Sequence, residues 1–108
     1  MVESGAYDLD LIFHALSDPT RRAILKTLTR HERPISVVAK PFEMSLAAVS
    51  KHVKVLERAR LVQRTRRGSF SYLSLNGKAM RSAGHWLEHY RAVWEDRLEN
   101  LAQLLEKK

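Results

Sequence analysis

A chain of 108 residues, 44% hydrophobic and 29% charged, has the size of one domain (residues 1–108) and excludes a two-module cofactor enzyme. Cysteine is absent, which excludes disulfides, thiolate chemistry and cysteine-ligated metals; no apolar run has the length of a membrane span or the form of a signal peptide, so a cytoplasmic protein is expected. The formal charge is +7, and residues 51–81 hold the whole excess: nine basic side chains against Glu57 alone, the electrostatic footprint of a polyanion partner or a solvated basic face.

Leu9, Ile12, Phe13 and Leu16 recur at i, i+3, i+4, i+7, which predicts a first helix over residues 8–16. Asp18-Pro19 then supplies an N-cap followed by proline at the first helical position. Ile24, Leu25 and Leu28 form the apolar stripe of a second helix, expected to stop near Arg33-Pro34. Ser36 is placed to cap a short third helix carrying Val37, Val38, Ala39 and Phe42, limited by Pro41. Ser45 caps a fourth helix that runs to about Ala59 with Leu46, Val49, Val53 and Leu56 on one face.

The period then changes. Leu61–Arg66 and Phe70–Leu75 read as two strands around Arg67-Gly68-Ser69, a hairpin with a glycine tip. Asn76-Gly77 punctuates, and a last helix covers residues 78–106, with Met80, Leu87, Tyr90, Trp94, Leu98, Leu101 and Leu105 near heptad spacing. The predicted class is mainly α with a small β-hairpin, in the order α-α-α-α-β-β-α.

The outward side of the fourth helix carries Ala47, Ala48, Ser50, Lys51, Lys54 and Arg58. Small residues let a helix backbone approach base edges, hydroxyl and ammonium groups bond to them, and flanking cations hold phosphates. The same pattern also suits an ordinary amphipathic surface helix. Arg64, Arg66 and Arg67 lie near the hairpin tip with Ser69 and no acidic neighbour in sequence. Their mutual repulsion calls for counter-charge, which a phosphate backbone supplies. Charge by itself does not separate DNA from RNA or an anionic membrane.

The string from Ala15 to Leu25 (ALSDPTRRAIL), then Met44-Ser45 and Ala48-Val49-Ser50-Lys51-His52-Val53-Lys54-Val55-Leu56-Glu57, then Leu61-Val62, resembles the ArsR family of winged-helix regulators across most of residues 9–75. The resemblance implies a winged helix-turn-helix fold and a homodimeric transcription regulator, a repressor by type, bound to double-stranded DNA on the nucleoid. It places Ser45, Ala47, Ala48, Ser50, Lys51 and His52 on the recognition segment and Arg67 with its neighbours on the wing. It also makes the first and last helices (residues 8–16 and 78–106) the dimer interface. Where many members carry metal-binding cysteines this chain reads Ser36-Val37-Val38-Ala39-Lys40-Pro41-Phe42, so the branch resembled lacks them. Arg60 stands where the family usually has glycine, and a left-handed arginine there costs on the order of 1 kcal/mol.

His85 and His89, four apart on the last helix with Glu88 and Asp96 nearby, offer the alternative of a metal-responsive repressor, although two histidines alone make a poor site. His52 is open to a second role, packing beside the helix-turn-helix core. Leu9, Ile12 and Phe13 with Trp86, Leu87, Tyr90, Trp94, Leu98, Leu101 and Leu105 form more apolar surface than a small core can cover, so a second copy is expected to meet it. No phosphate loop, nucleophile elbow or paired-carboxylate frame points to an enzyme. No metal site or cofactor is assigned. The remaining alternative is a winged helix that binds protein or RNA, and a small-molecule or protein effector is left open.

Overall fold

Asp8 opens the first helix by accepting a hydrogen bond from the Leu11 N–H at 3.2 Å, and the helix α1 runs over Leu9–Leu16. The structure, a computed structural model, describes residues 7–106. Asp18 repeats the device: its carboxylate accepts from the Arg21 N–H at 3.0 Å, with Pro19 as the first residue of α2 (Pro19–Thr27). α2 ends at Thr27, short of the Arg33-Pro34 boundary expected from sequence. Arg33–Pro34 instead forms a two-residue strand, β1. Proline is acceptable there because β1 lies at a sheet edge, where the missing N–H breaks no ladder.

α3 (Ile35–Ala39) is as short as Pro41 requires. Its N-cap is Pro34 with no side-chain cap, so the assignment of that role to Ser36 is corrected: Ser36 is already inside the first turn. α4 (Leu46–Arg58) starts where Ser45 Oγ accepts from the Ala48 N–H at 3.1 Å. It ends in a Schellman arrangement. The Leu61 N–H reaches back to the Leu56 carbonyl at 3.0 Å and the Arg60 N–H to Glu57 at 2.9 Å. This closure needs a left-handed residue, and Arg60 has φ 64°.

β2 (Val62–Arg67) and β3 (Phe70–Leu75) pair antiparallel from Val62↔Leu75 to Arg67↔Phe70, joined by Gly68-Ser69. Gly68 has φ 60°, the value a type II′ hairpin turn requires at its first central residue. β1 adds to the free side of β3, so the hairpin predicted from sequence is part of a three-stranded antiparallel sheet of order β1-β3-β2.

One apolar cluster joins Ile12 and Ala15 of α1, Ile24, Leu25 and Leu28 of α2, Val38 of α3, Val49, Val53 and Leu56 of α4, and Leu73 of β3. Two sequence assignments are corrected by it. Leu46, the first residue of α4, is 54% exposed and leaves the core to Val49, Val53 and Leu56. Ile12, read as an interface residue, is fully buried within the protomer. Periodicity identified its face correctly, but that face meets the protomer's own core.

α5 (Gly77–Glu106) is 30 residues long, about 45 Å at 1.5 Å per residue. Only Ala79 and Ala83 of it are buried, and every described residue from Gly84 onward is exposed. No described helix is long and apolar enough to cross a membrane.

Candidate nucleic-acid interface

The turn between α3 and α4 and the hairpin β2-β3 flank one helix, α4, whose inner side is locked by Val49, Val53 and Leu56. Fixing that side fixes what faces out. Ala47, Lys51, Lys54 and Arg58 are exposed at i, i+4, i+7 and i+11, a single longitudinal stripe. Ala48 and Ser50 sit half-buried at its margins. The first turn of α4 holds no acidic residue, and Ser45 stands exposed at the cap. The stripe is therefore small near the helix N-terminus and cationic beyond it.

His52 belongs to a different environment. Arg21, buried in the protomer at 8% exposure, donates from Nη1 to His52 Nδ1 at 3.2 Å. The same guanidinium donates from Nε to the Ala15 carbonyl at 2.8 Å and from Nη2 to the His14 carbonyl at 3.0 Å. Asp18 Oδ2 lies 3.9 Å from His52 Nδ1. One arginine thus ties the end of α1 and the start of α2 to the middle of α4. Arginine only donates, so this contact needs an unprotonated Nδ1, whereas an ion pair with Asp18 needs the protonated ring. The Arg21 N–H, and then the nearby His52 and Arg21 charges, hold the Asp18 carboxyl below its ordinary range despite some burial. Sequence reasoning missed Arg21 as a structural hub, although it lies within the Asp18-Pro19-Thr20-Arg21 string that carries the family resemblance.

The wing corrects the counter-charge argument. Arg64 is clamped by Glu57, Nε to Oε2 at 3.3 Å and Nη2 to Oε1 at 3.1 Å. Arg67 pairs with Glu32 and lies 4.8 Å above the Tyr72 ring. Both acids were invisible to a local reading because they come from α4 and from the segment before β1. Among the described residues, Arg66 alone of the three wing arginines lacks a carboxylate; its Nε donates to the Gly68 carbonyl at 3.3 Å. Ser69 is exposed in the turn.

Not all of the basic segment joins this surface. The Arg60 guanidinium lies 4.6 Å over the Tyr7 ring, and Arg81 lines a cleft on α2 and α5 with Arg22 and Lys26.

Along α5, Leu87, Tyr90, Trp94, Leu98, Leu101 and Leu105 are all exposed, with Met80, Val93 and Leu104 beside them. Trp86 packs on Tyr90 at 4.5 Å between centroids and meets Phe13 of α1 edge-on at 5.6 Å, and Leu9 is only partly buried. His85 and His89 are exposed on this helix, His89 edge-on to Tyr90. No group of three metal-ligating side chains converges among the described residues.

A family model described as a helix-turn-helix domain matches residues 16–65, from the end of α1 into β2. The transcriptional repressor SdpR of Bacillus subtilis is 33% identical over 79 residues, spanning 73% of this chain and 88% of the relative. Among solved structures, an ArsR-like transcriptional regulator from Rhodococcus sp. RHA1 superposes with a TM-score of 0.78 at 31% identity, covering 93% of this chain and 92% of the other. The crystal structure of another ArsR family transcriptional regulator gives 0.76 at 34% identity, covering 81% and 90%. These relatives regulate transcription and are not enzymes. The chain belongs to the ArsR family of winged helix-turn-helix, DNA-binding transcriptional regulators.

Proposed function

We propose that this protein is a homodimeric repressor that binds a palindromic operator through α4 and the β2-β3 wing. The observation that carries the reading is the exposed stripe of Ala47, Lys51, Lys54 and Arg58 on a helix whose opposite side is fully packed. A rigid helix with a small first turn fits a major groove. Ser45 and the α4 N-terminus hold a phosphate through backbone N–H groups and the positive end of the dipole. Ala47 and Ala48 permit close approach, Ser50 and Lys51 read base edges, and Lys54 and Arg58 add sequence-independent attraction. His52 reaches the DNA with Nε2 or serves only to aim the helix. Arg66 leads the wing contact with Ser69, and Arg64 and Arg67 join once Glu57 and Glu32 yield to phosphate.

The exposed apolar stripe of α5, with Leu9 and Phe13 of α1, supports self-association; Ile12 is excluded from that surface by its burial. A second copy covering residues 87–105 sets two α4 helices one DNA turn apart, which matches a two-fold operator. Seated over a promoter, such a dimer blocks polymerase, and it acts in the cytoplasm on the nucleoid. The test is selection of bound duplexes from a random pool followed by anisotropy titration. A palindrome bound by two protomers about a thousandfold tighter than random duplex is expected. Equal affinity for all duplexes, or tighter binding of RNA, contradicts the reading.

A further inference from the structure

His52 follows Lys51 at the margin of the α4 stripe, its side chain 25% exposed and its Nδ1 turned toward the start of α2. Two groups there compete for that one nitrogen. Arg21 Nη1 stands 3.2 Å away as a donor, and Asp18 Oδ2 stands 3.9 Å away as an acceptor. The first contact suits the neutral ring alone; the second becomes a charge-assisted bond only in the protonated ring. Both partners are held in place. Arg21 donates to the Ala15 and His14 carbonyls, and Asp18 Oδ2 caps α2 by accepting from the Arg21 N–H at 3.0 Å. The other elements packed on α4 bring no further charge into contact with the ring among the described residues. Asp10 and His14 of α1 are exposed, α3 carries no charged side chain, and Arg64 of β2 is engaged by Glu57. On α4 itself Lys51 and Lys54 point to solvent. No described residue bonds Nε2.

We infer that His52 couples DNA binding to proton uptake. On DNA the ring takes a proton from solvent at Nδ1, passes that nitrogen from Arg21 to Asp18, and offers its Nε2–H to a phosphate. A second positive charge beside the Arg21 guanidinium is repelled, and a phosphate at Nε2 supplies the counter-charge that offsets the repulsion. Since Asp18 and Arg21 both stand at the start of α2, either protonation state keeps α4 joined to α2. The inference rests on α4 meeting DNA, as proposed above.

The experiment is anisotropy titration of the full chain on its selected operator at constant salt between about pH 6 and pH 8, where histidines change charge. Proton uptake makes affinity fall as pH rises, and about a tenfold loss across that interval is expected for the dimer. Calorimetry in two buffers of different ionisation enthalpy should show the uptake directly. His52→Asn keeps a neutral acceptor near the place of Nδ1 but cannot be protonated, and Asp18→Asn keeps a capping oxygen but no charge. Each should hold operator affinity within about twofold over the same interval, with unchanged circular dichroism. A histidine that merely sits near phosphate would lose its coupling in the first variant and keep it in the second. An unchanged slope in either variant, or no proton uptake by the wild-type protein, overturns the inference and leaves the DNA-binding reading intact. Failure to bind any duplex at any pH removes that reading and this inference with it.

Discussion

Nη1 of Arg21 donates to Nδ1 of His52 across 3.2 Å, joining the first turn of α2 to the middle of the recognition helix α4. Buried arginines survive only when their donors are satisfied, and this one also caps the carbonyls of Ala15 and His14 at the end of α1. The orientation of α4 therefore rests on a polar tether as well as on Val49, Val53 and Leu56.

Arg21→Ala removes the donor for two carbonyls and an imidazole at once. With unsatisfied or weakened partners at about 1–3 kcal/mol each and partial rescue by water, a net loss of about 2–4 kcal/mol is expected. Urea denaturation measures it. A loss under about 0.5 kcal/mol would show that the tether carries no stability.

The stripe on α4 and the wing should separate by sequence dependence. Lys51→Ala should cost about 1–3 kcal/mol on the selected operator and relax preference, whereas Arg66→Ala should weaken all duplexes alike and lower the salt slope by about one. Arg67→Ala should do the same to a smaller degree, because Glu32 already engages that guanidinium. Glu57→Gln frees Arg64 from its bidentate clamp, so binding to random duplex should tighten at low salt. The exposed pair itself contributes only about 0–1 kcal/mol to folding. Anisotropy titrations over a salt series read all four variants; unaltered preference in Lys51→Ala would refute the base-reading role.

Arg60 sits at φ 64°, where glycine is at ease and other residues are strained by on the order of 1 kcal/mol. Its guanidinium partly compensates by lying over Tyr7, a contact of about 0.5–1 kcal/mol at exposed sites. Arg60→Gly should therefore be close to neutral in thermal melts. Arg60→Ala keeps the strain and loses the stacking, and should fall below Arg60→Gly by about 1 kcal/mol. Equal melting temperatures for the two would mean that the Schellman closure imposes no strain here.

Asp18 has its carboxyl held below the usual range, first by the Arg21 N–H and then by the charges of His52 and Arg21. A lowered folded pKa means stability that is complete above the unfolded carboxylate pKa and disappears as pH falls through the folded value. Melting temperature should fall as the solution is taken below about pH 4. Asp18→Asn keeps a capping oxygen but cannot titrate, so its melting temperature should decline less over that interval. A parallel decline in both proteins would remove Asp18 as a source of acid sensitivity.

Several features were legible in the sequence because they are local. Asp18-Pro19 and Ser45 fixed two helix starts, the 46–49–53–56 spacing oriented α4 apart from Leu46, and Gly68 located the turn. The strand Arg33–Pro34 was not legible, since two residues carry no period and their pairing with Leu73 and Tyr72 is long-range. The pairs Arg64–Glu57 and Arg67–Glu32 escaped for the same reason. Spacing also names a helix face without naming what it meets, which is how Ile12 came to be placed on the wrong surface.

Chemical-shift mapping of the full chain on its selected operator probes the central claim most directly. The largest changes are expected at residues 45–54 and 64–69, with residues 87–105 unchanged between free and bound dimer. Changes concentrated on α5 or on the α2 side of the cleft, with Ala47, Lys51 and Arg66 unmoved, would contradict it.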